Sequence, residues 1–261
     1  MLNIDNLVCR IGGHTIIDGI STSFESGLLH VIVGPNGSGK STFLRAFSGE
    51  LSPVEGTITY DGQPITHRDK TSLARIRAVM SQLPELHFPL AVEDIVMMGR
   101  YPHFTFRPSQ KDQELCRQAM ERLSITDLQG RDYLTLSGGE RQRVQFARAL
   151  AQIGEPSVTG SRFLFLDEPV SSLDIHYQHQ FLQIARSLVE ENILVIAVLH
   201  DLNLALQYAD RMIFLRQGRL VAEGRTPGIV TPALIRDVFG ISAHLLDNPF
   251  GSAPVVVYDQ S

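Results

Sequence analysis

Gly34, Pro35, Asn36, Gly37, Ser38, Gly39, Lys40, Ser41 and Thr42 run consecutively, and Gly34, Gly39, Lys40 and Ser41 stand at the spacing of a phosphate-binding loop. Glycines let such a backbone curl until its N–H groups point inward at phosphate oxygens, and the positive end of a following helix adds to the attraction. Lys40 would reach the β- and γ-phosphates of a nucleotide and Ser41 would ligate Mg²⁺. A second pair of chemical groups, Asp167 and Glu168, ends the apolar run Phe163 to Leu166. Asp167 would hold the Mg²⁺ shell, and Glu168 would accept a proton from, or orient, the water attacking the γ-phosphate. Adjacent acids after a strand are by themselves an ordinary solvated turn. The phosphate loop upstream makes them candidates for hydrolysis.

These groups need elements that present them. Leu29 to Val33 is apolar and β-branched and stops at Gly34; a helix-compatible stretch runs from Ser41 to Ser48, giving strand, glycine loop, helix. Thr57 to Tyr60 reads as a strand with Asp61-Gly62 as its turn, so the N-terminal part holds a small antiparallel β element. Between about Pro84 and Gln152 the pattern is helical: Ser109 and Asp112 form a capping pair, and Leu115, Ala119 and Leu123 share a face. Phe163 to Leu166, Ile193 to Leu199 and Arg211 to Leu215 are short apolar strands separated by helical stretches such as Ile175 to Glu191, the rhythm of a parallel α/β sheet. The expected fold is an α/β phosphate-loop NTPase with a mostly parallel core sheet, in a single domain spanning 1–261. Residues 1–83 and 153–261 form its nucleotide-binding core with the antiparallel β element, and 84–152 an inserted helical subdomain. Asp167 and Glu168 then fall at the carboxyl edge of the sheet, where open parallel sheets bind ligands.

The bulk numbers exclude several other classes. A chain of 261 residues with 43% hydrophobic and 20% charged residues is ordinary for a globular protein. A net charge of -5 supplies no basic field, and nucleic acid is not expected as a partner. Cys9 and Cys116 suit a reducing compartment, with no metal-type cysteine pair. His176 and His179, three apart on an expected helix, lack a third metal ligand. The start MLNIDNLVCR has no apolar signal core, and the longest apolar run, Ile193 to Leu199, falls far short of the roughly 18 residues of a spanning helix. Any membrane connection therefore comes through a partner.

LSGGERQRVQFARAL, Leu136 to Leu150, resembles the signature of ATP-binding-cassette ATPases, with Ser137, Gly138 and Gly139 opening a helix. The resemblance covers almost the whole chain and implies ATP with Mg²⁺ and a homodimer in which Ser137, Gly138 and Gly139 cap the γ-phosphate bound to the other subunit. It places Gln82, in VMSQ, at the loop that contacts Mg²⁺ and the attacking water and senses the transporter partner. Asp174, in SSLD, falls in the loop linking the two sites across the dimer, and His200 at the switch histidine that contacts the γ-phosphate. Taken singly, Gln82 reads as a surface amide, Asp174 as a helix cap and His200 as a strand-end histidine; their order and spacing with the two phosphate-site motifs favour the functional reading. Where the family commonly stacks an aromatic residue on adenine, CRIGGH puts Ile11, which has no π-face. His14 nearby reads as an exposed loop imidazole.

LAVEDIVMMGRYPH, Leu90 to His103, resembles ATPases of metal-chelate importers, where this neighbourhood forms the groove for a permease helix. Val92, Ile95, Val96 and Met97 are then partly helical core, and Arg100, Tyr101 and His103 exposed partner contacts. AQIGEPSVTGSRFLFLDEP, SLDIHYQHQFL and RQGRLVAEGRTPGIVT are similar to haem-importer ATPases in particular. The resemblance implies two copies of a multi-spanning permease, a periplasmic haem-binding protein, a peripheral place on the cytoplasmic face of a bacterial inner membrane, and no contact between haem and this chain. Ferric siderophore or cobalamin is the neighbouring alternative cargo. A soluble cassette ATPase of DNA repair or translation is more distant, since coiled-coil insertions, a second cassette and basic surfaces are missing.

Overall fold

The structure, a computed structural model, describes residues 1–81, 88–156 and 160–259, so Gln82 lies outside the described residues. The chain opens with β1 (Leu2–Ile11), β2 (His14–Phe24), β3 (Leu29–Val33), α1 (Lys40–Phe47), β4 (Glu55–Tyr60) and β5 (Gln63–Pro64). It continues through α2 (Lys70–Ile76), β6 (Arg77–Met80), α3 (Val92–Met98), α4 (Gln110–Arg122), α5 (Gly138–Gln152), β7 (Arg162–Asp167) and α6 (Ile175–Ser187). β8 (Ile193–Val198), α7 (Leu202–Tyr208), β9 (Arg211–Arg216), β10 (Arg219–Arg225), α8 (Pro232–Phe239), β11 (Ala243–Leu246) and β12 (Val255–Tyr258) follow. Two compact units result, Met1–Ile65 with Ala185–Ser261, and Thr66–Ile184.

In the first unit β3 runs parallel to both β8 and β9, with Ile32 opposite Val198 and Ile213, and β10 closes antiparallel on β9. Every residue of β3 and β8 is buried, as expected of strands covered on both faces, which is why β8 reads as an unbroken apolar stretch and β3 as one interrupted only by His30, rather than as alternations. The antiparallel element is a four-stranded sheet in the order β2-β1-β4-β5. Its β4–β5 turn places Asp61 at φ 49° and Gly62 at φ 78°, the paired left-handed conformations a tight hairpin requires. β1 and β2 were not evident from sequence because register shifts after Ile4, Leu7 and Cys9 break their alternation, with Asn6 itself at φ 45°.

The second unit pairs β6 with β7 in parallel, Met80 opposite Leu166, and carries α3, α4 and α5. Ser109 and Asp112 form the expected capping box on α4, and Cys116, Ala119, Met120 and Leu123 bury its inner face. Val92, Ile95 and Val96 are core, as expected of α3.

Arg100 corrects the sequence reading. Expected on a partner-facing surface, it is fully buried. Its Nε donates to Asp112 Oδ1 at 2.8 Å, its Nη1 to the carbonyl of Ala151 at 2.8 Å, and its Nη2 to Glu155. Lys111 completes the group on Glu155 Oε2 at 2.5 Å. The His103 imidazole is also turned inward, within 2.8 Å of the Gln152 carbonyl oxygen, whereas Tyr101 is exposed. Burial would raise the Asp112 carboxyl pKa, but the hydrogen bonds from Ser109 and Arg100 outweigh it and hold the group below its ordinary value. Arg100 thus fastens α3 and α4 to the end of α5. Removing one partner of a buried ion pair costs about 3–5 kcal/mol. Arg100→Ala is expected to lose that much in urea unfolding, and a loss under about 0.5 kcal/mol would return Arg100 to the surface class.

Candidate nucleotide-binding site

β3 delivers the chain to Gly34, and α1 starts at Lys40 with Gly39 as its cap at φ 96°. The glycines answer separate demands. A Cβ on Gly34 would lie 2.2 Å from the Leu215 carbonyl oxygen and 2.8 Å from Ser38 Oγ; one on Gly39 would lie 2.9 Å from Ile17 Cδ1 on β2. Gly37 has open space and is required by its φ of 76° alone. The β9–β10 turn steadies the loop, Gly218 N–H donating to the Ser38 carbonyl at 3.0 Å.

Lys40 is 5% exposed, and its ammonium donates to the carbonyls of Gly34 at 2.9 Å and Pro35 at 3.1 Å. Ser38 is 2% exposed, and its Oγ has no hydrogen-bond partner among the described residues. A buried hydroxyl without a partner is costly unless a ligand satisfies it, and a phosphate oxygen is the complementary acceptor. The loop therefore fits a nucleotide phosphate. Ser41 and Thr42 follow on the first turn of α1, half-buried.

β8 runs level with β3, and Leu199 N–H continues the ladder to the Ile32 carbonyl at 3.1 Å. His200, exposed, thus leaves the sheet beside the start of the phosphate loop. Asp201 then caps α7, its Oδ1 accepting from Asn203 N at 2.7 Å and Leu204 N at 3.1 Å. Ile11 sits at the tip of the β1–β2 hairpin opposite His14 and is 45% exposed.

In the second unit Asp167, 8% exposed, is the last residue of β7. Glu168 follows at φ 52°, a left-handed conformation that costs a non-glycine residue about 1–3 kcal/mol and is concentrated at functional sites. Its carbonyl accepts from Ser171 Oγ at 3.1 Å. Asp174 caps α6, accepting from Tyr177 N at 3.1 Å, so the helix-cap role is realised. Ser137 caps α5 through a capping box with Glu140, while Gly138 is exposed, and a Cβ placed on it would meet nothing within 4 Å.

Sequence reasoning missed Gln142. Its side-chain amide, 4% exposed on α5, donates to the Pro169 carbonyl and accepts from Ser172 Oγ. The helix opened by Ser137 is thereby tied to the segment after Glu168. A glutamine among the apolar Val144, Phe146 and Ala147 was the available signal. Among the described residues no group of three His, Cys, Asp or Glu side chains is placed to hold a metal. Nor is any described helix long and apolar enough to cross a membrane.

A family model described as ABC transporter matches residues 17–171. The chain belongs to the ABC transporter family. It is an ATP-using ATPase of that family. Over 260 residues it is 40% identical to the hemin import ATP-binding protein HmuV of Escherichia coli O157:H7, covering 99% of this chain and 100% of that protein. Over 249 residues it is 41% identical to the HmuV of Hahella chejuensis, covering 94% of each. A solved structure described as a metal-chelate type ABC transporter in an inward-facing conformation superposes with a TM-score of 0.82 at 25% identity, covering 98% of this chain and 96% of that one.

The two glycine environments give a paired expectation for this cassette. Gly34→Ala forces backbone apart and should weaken ATP binding at least about ten-fold, read by titration with a non-hydrolysable analogue. Gly138→Ala meets open space and should change the unfolding free energy of the isolated chain by less than about 0.5 kcal/mol. Equal damage from both would remove the distinction between a glycine required inside the chain and one that is not.

Proposed function

We propose that this chain is the ATP-hydrolysing subunit of a bacterial haem (hemin) importer, acting as a homodimer beneath two copies of a multi-spanning permease, on the cytoplasmic face of the inner membrane. A periplasmic haem-binding protein supplies the cargo, and haem itself does not touch this chain. The observation that carries the reading is the full-length likeness to hemin import ATP-binding proteins. The buried, unsatisfied Ser38 hydroxyl in the phosphate loop supports its nucleotide half.

In this reading the backbone of Gly34 to Thr42 cradles the ATP phosphates, and Lys40 turns from its loop carbonyls to the β- and γ-phosphates. Ser41, Gln82 and Asp167 would hold Mg²⁺; hydroxyl, amide and carboxylate oxygens are the hard donors that ion takes. Bound there, Mg²⁺ would neutralise charge on the β- and γ-phosphate oxygens. Glu168 receives the proton of the attacking water, and His200 contacts the γ-phosphate. Ser137, Gly138 and Gly139 offer the open start of α5 to the partner's nucleotide, with Asp174 at the crossing between the two sites. The exposed, sterically unconstrained Gly138 supports that role, since the chain's own packing does not call for a glycine there. Ile11 packs against adenine without stacking. Residues 84–152 act as the helical subdomain that transmits closure to the permease, the Arg100 cluster keeping α3 and α4 on α5 as it moves.

Glu168→Gln keeps shape but cannot accept the proton, so turnover should fall by at least about 100-fold with ATP affinity within two-fold. Parental turnover in the purified variant would remove Glu168 as the base. The crossed site is tested with mixed dimers. Lys40→Ala in one subunit and Ser137→Arg in the other spoil one site and leave one intact, while both changes in one subunit damage both sites. Identical nucleotide binding by the two arrangements would argue against the head-to-tail dimer. Cargo is tested in liposomes with the permease: haem should move only with ATP, and movement of a ferric siderophore or cobalamin in its place would reassign the cargo.

A further inference from the structure

The turn that carries His200 is held from two sides. On one side Leu199 N–H donates to Ile32 of β3 at 3.1 Å. On the other stands Asn203, at the start of α7. Its side-chain Oδ1 accepts from Val256 N at 2.7 Å, and its Nδ2 donates to the Val256 carbonyl at 3.2 Å. The amide thus presents one acceptor and one donor to β12, as a neighbouring strand would. Asn203 N–H also donates to Asp201, so the same residue joins the helix cap to the hairpin.

The C-terminal hairpin is built for this attachment. β11 and β12 pair with Leu245 opposite Val256, and Asp259 N–H closes the base on the Ser242 carbonyl at 2.9 Å. Two strands alone are marginal in water, so the hairpin depends on what it packs against. Val256 and Ala243 are buried, with β12 against α7 and β11 against α8. Tyr258 lies close enough to the α7 cap that the Asp201 carboxylate, after burial, helps push its hydroxyl above the ordinary value. None of the residues assigned above to phosphate chemistry lies in the hairpin itself.

We propose that Asn203 is a positioning residue: by clamping β12 to the start of α7, it makes the C-terminal hairpin the second support of the His200 turn, and so governs hydrolysis rather than nucleotide affinity. The inference rests on His200 contacting the γ-phosphate. Small misplacements of a positioned group slow chemistry more than they weaken binding.

The test uses the full-length chain assembled with its permease. Asn203→Ala removes both bonds. Val256→Pro removes only the one from Val256 N–H, and because Val256 turns both its backbone groups to Asn203 the ladder with β11 keeps its bonds. Both variants should lower kcat about ten-fold with KM within two-fold, and should speed amide exchange at residues 200–206 without moving the global unfolding midpoint. In a His200→Ala background, itself impaired, Asn203→Ala should add less than two-fold, because its effect passes through the histidine. An undiminished Asn203 effect in that background would make the residue merely structural and overturn the proposal. Unchanged kcat in both variants, with His200→Ala still impaired, would overturn it while leaving the role of His200 standing. Full turnover by His200→Ala would sink both together.

Discussion

Gly34 passes so close to the Leu215 carbonyl that no side chain fits between them, and the nucleotide site depends on that approach. It is possible only while β3 keeps its register with β9, and the same register with β8 brings the His200 turn level with the phosphate loop. A strand buried on both faces has no solvent side to fix its alignment by hydrophobic pattern. Here close backbone contacts, Gly34 on Leu215 and Gly218 on Ser38, select one alignment in place of a pattern. The fold and the site are therefore specified by the same glycines.

The second unit solves a different problem, keeping several short helices in fixed relation to β7. Gln142 ties α5 to the segment after Glu168, and Phe146 stacks on Phe181 of α6 with centroids 4.0 Å apart. Arg100 adds a charged joint between α3, α4 and the end of α5. A buried ionic joint is not a cheap source of stability, but it tolerates few alternative geometries, since any shift leaves a charge without its partner. That suits a segment proposed to move as one piece.

Much of this was legible in advance because local chemistry and fold agree. The apolar run Leu29 to Val33 is β3 residue for residue, and the Ser109–Asp112 pair caps α4 as its spacing implies. The positions of the glycine loop between β3 and α1 and of the acids at the end of β7 were legible as spacing, since such loops and strand ends leave local marks. What escaped depends on distant partners. Arg100 looks like any surface arginine until Asp112 and Glu155 are brought to it, and Asn203 looks like an exposed helical amide until β12 arrives from more than fifty residues away. The left-handed backbone of Glu168 leaves no trace in residue type, because glutamate has no preference for that conformation.

The hydrogen bonds from Lys40 to Gly34 and Pro35 carry a consequence for nucleotide exchange. A buried ammonium stripped of partners would be driven to lose its proton or drag the loop toward collapse. In the role proposed for Lys40, the loop's own carbonyls would stand in for departing phosphates, so the cation would trade one set of oxygens for another while the cradle keeps its shape. Exchange in that role would be a swap of counterparts rather than the opening and refilling of a void. It follows that a lysine variant at this position changes two states at once, the loaded cradle and the waiting one, and its measured affinity reports the difference between them.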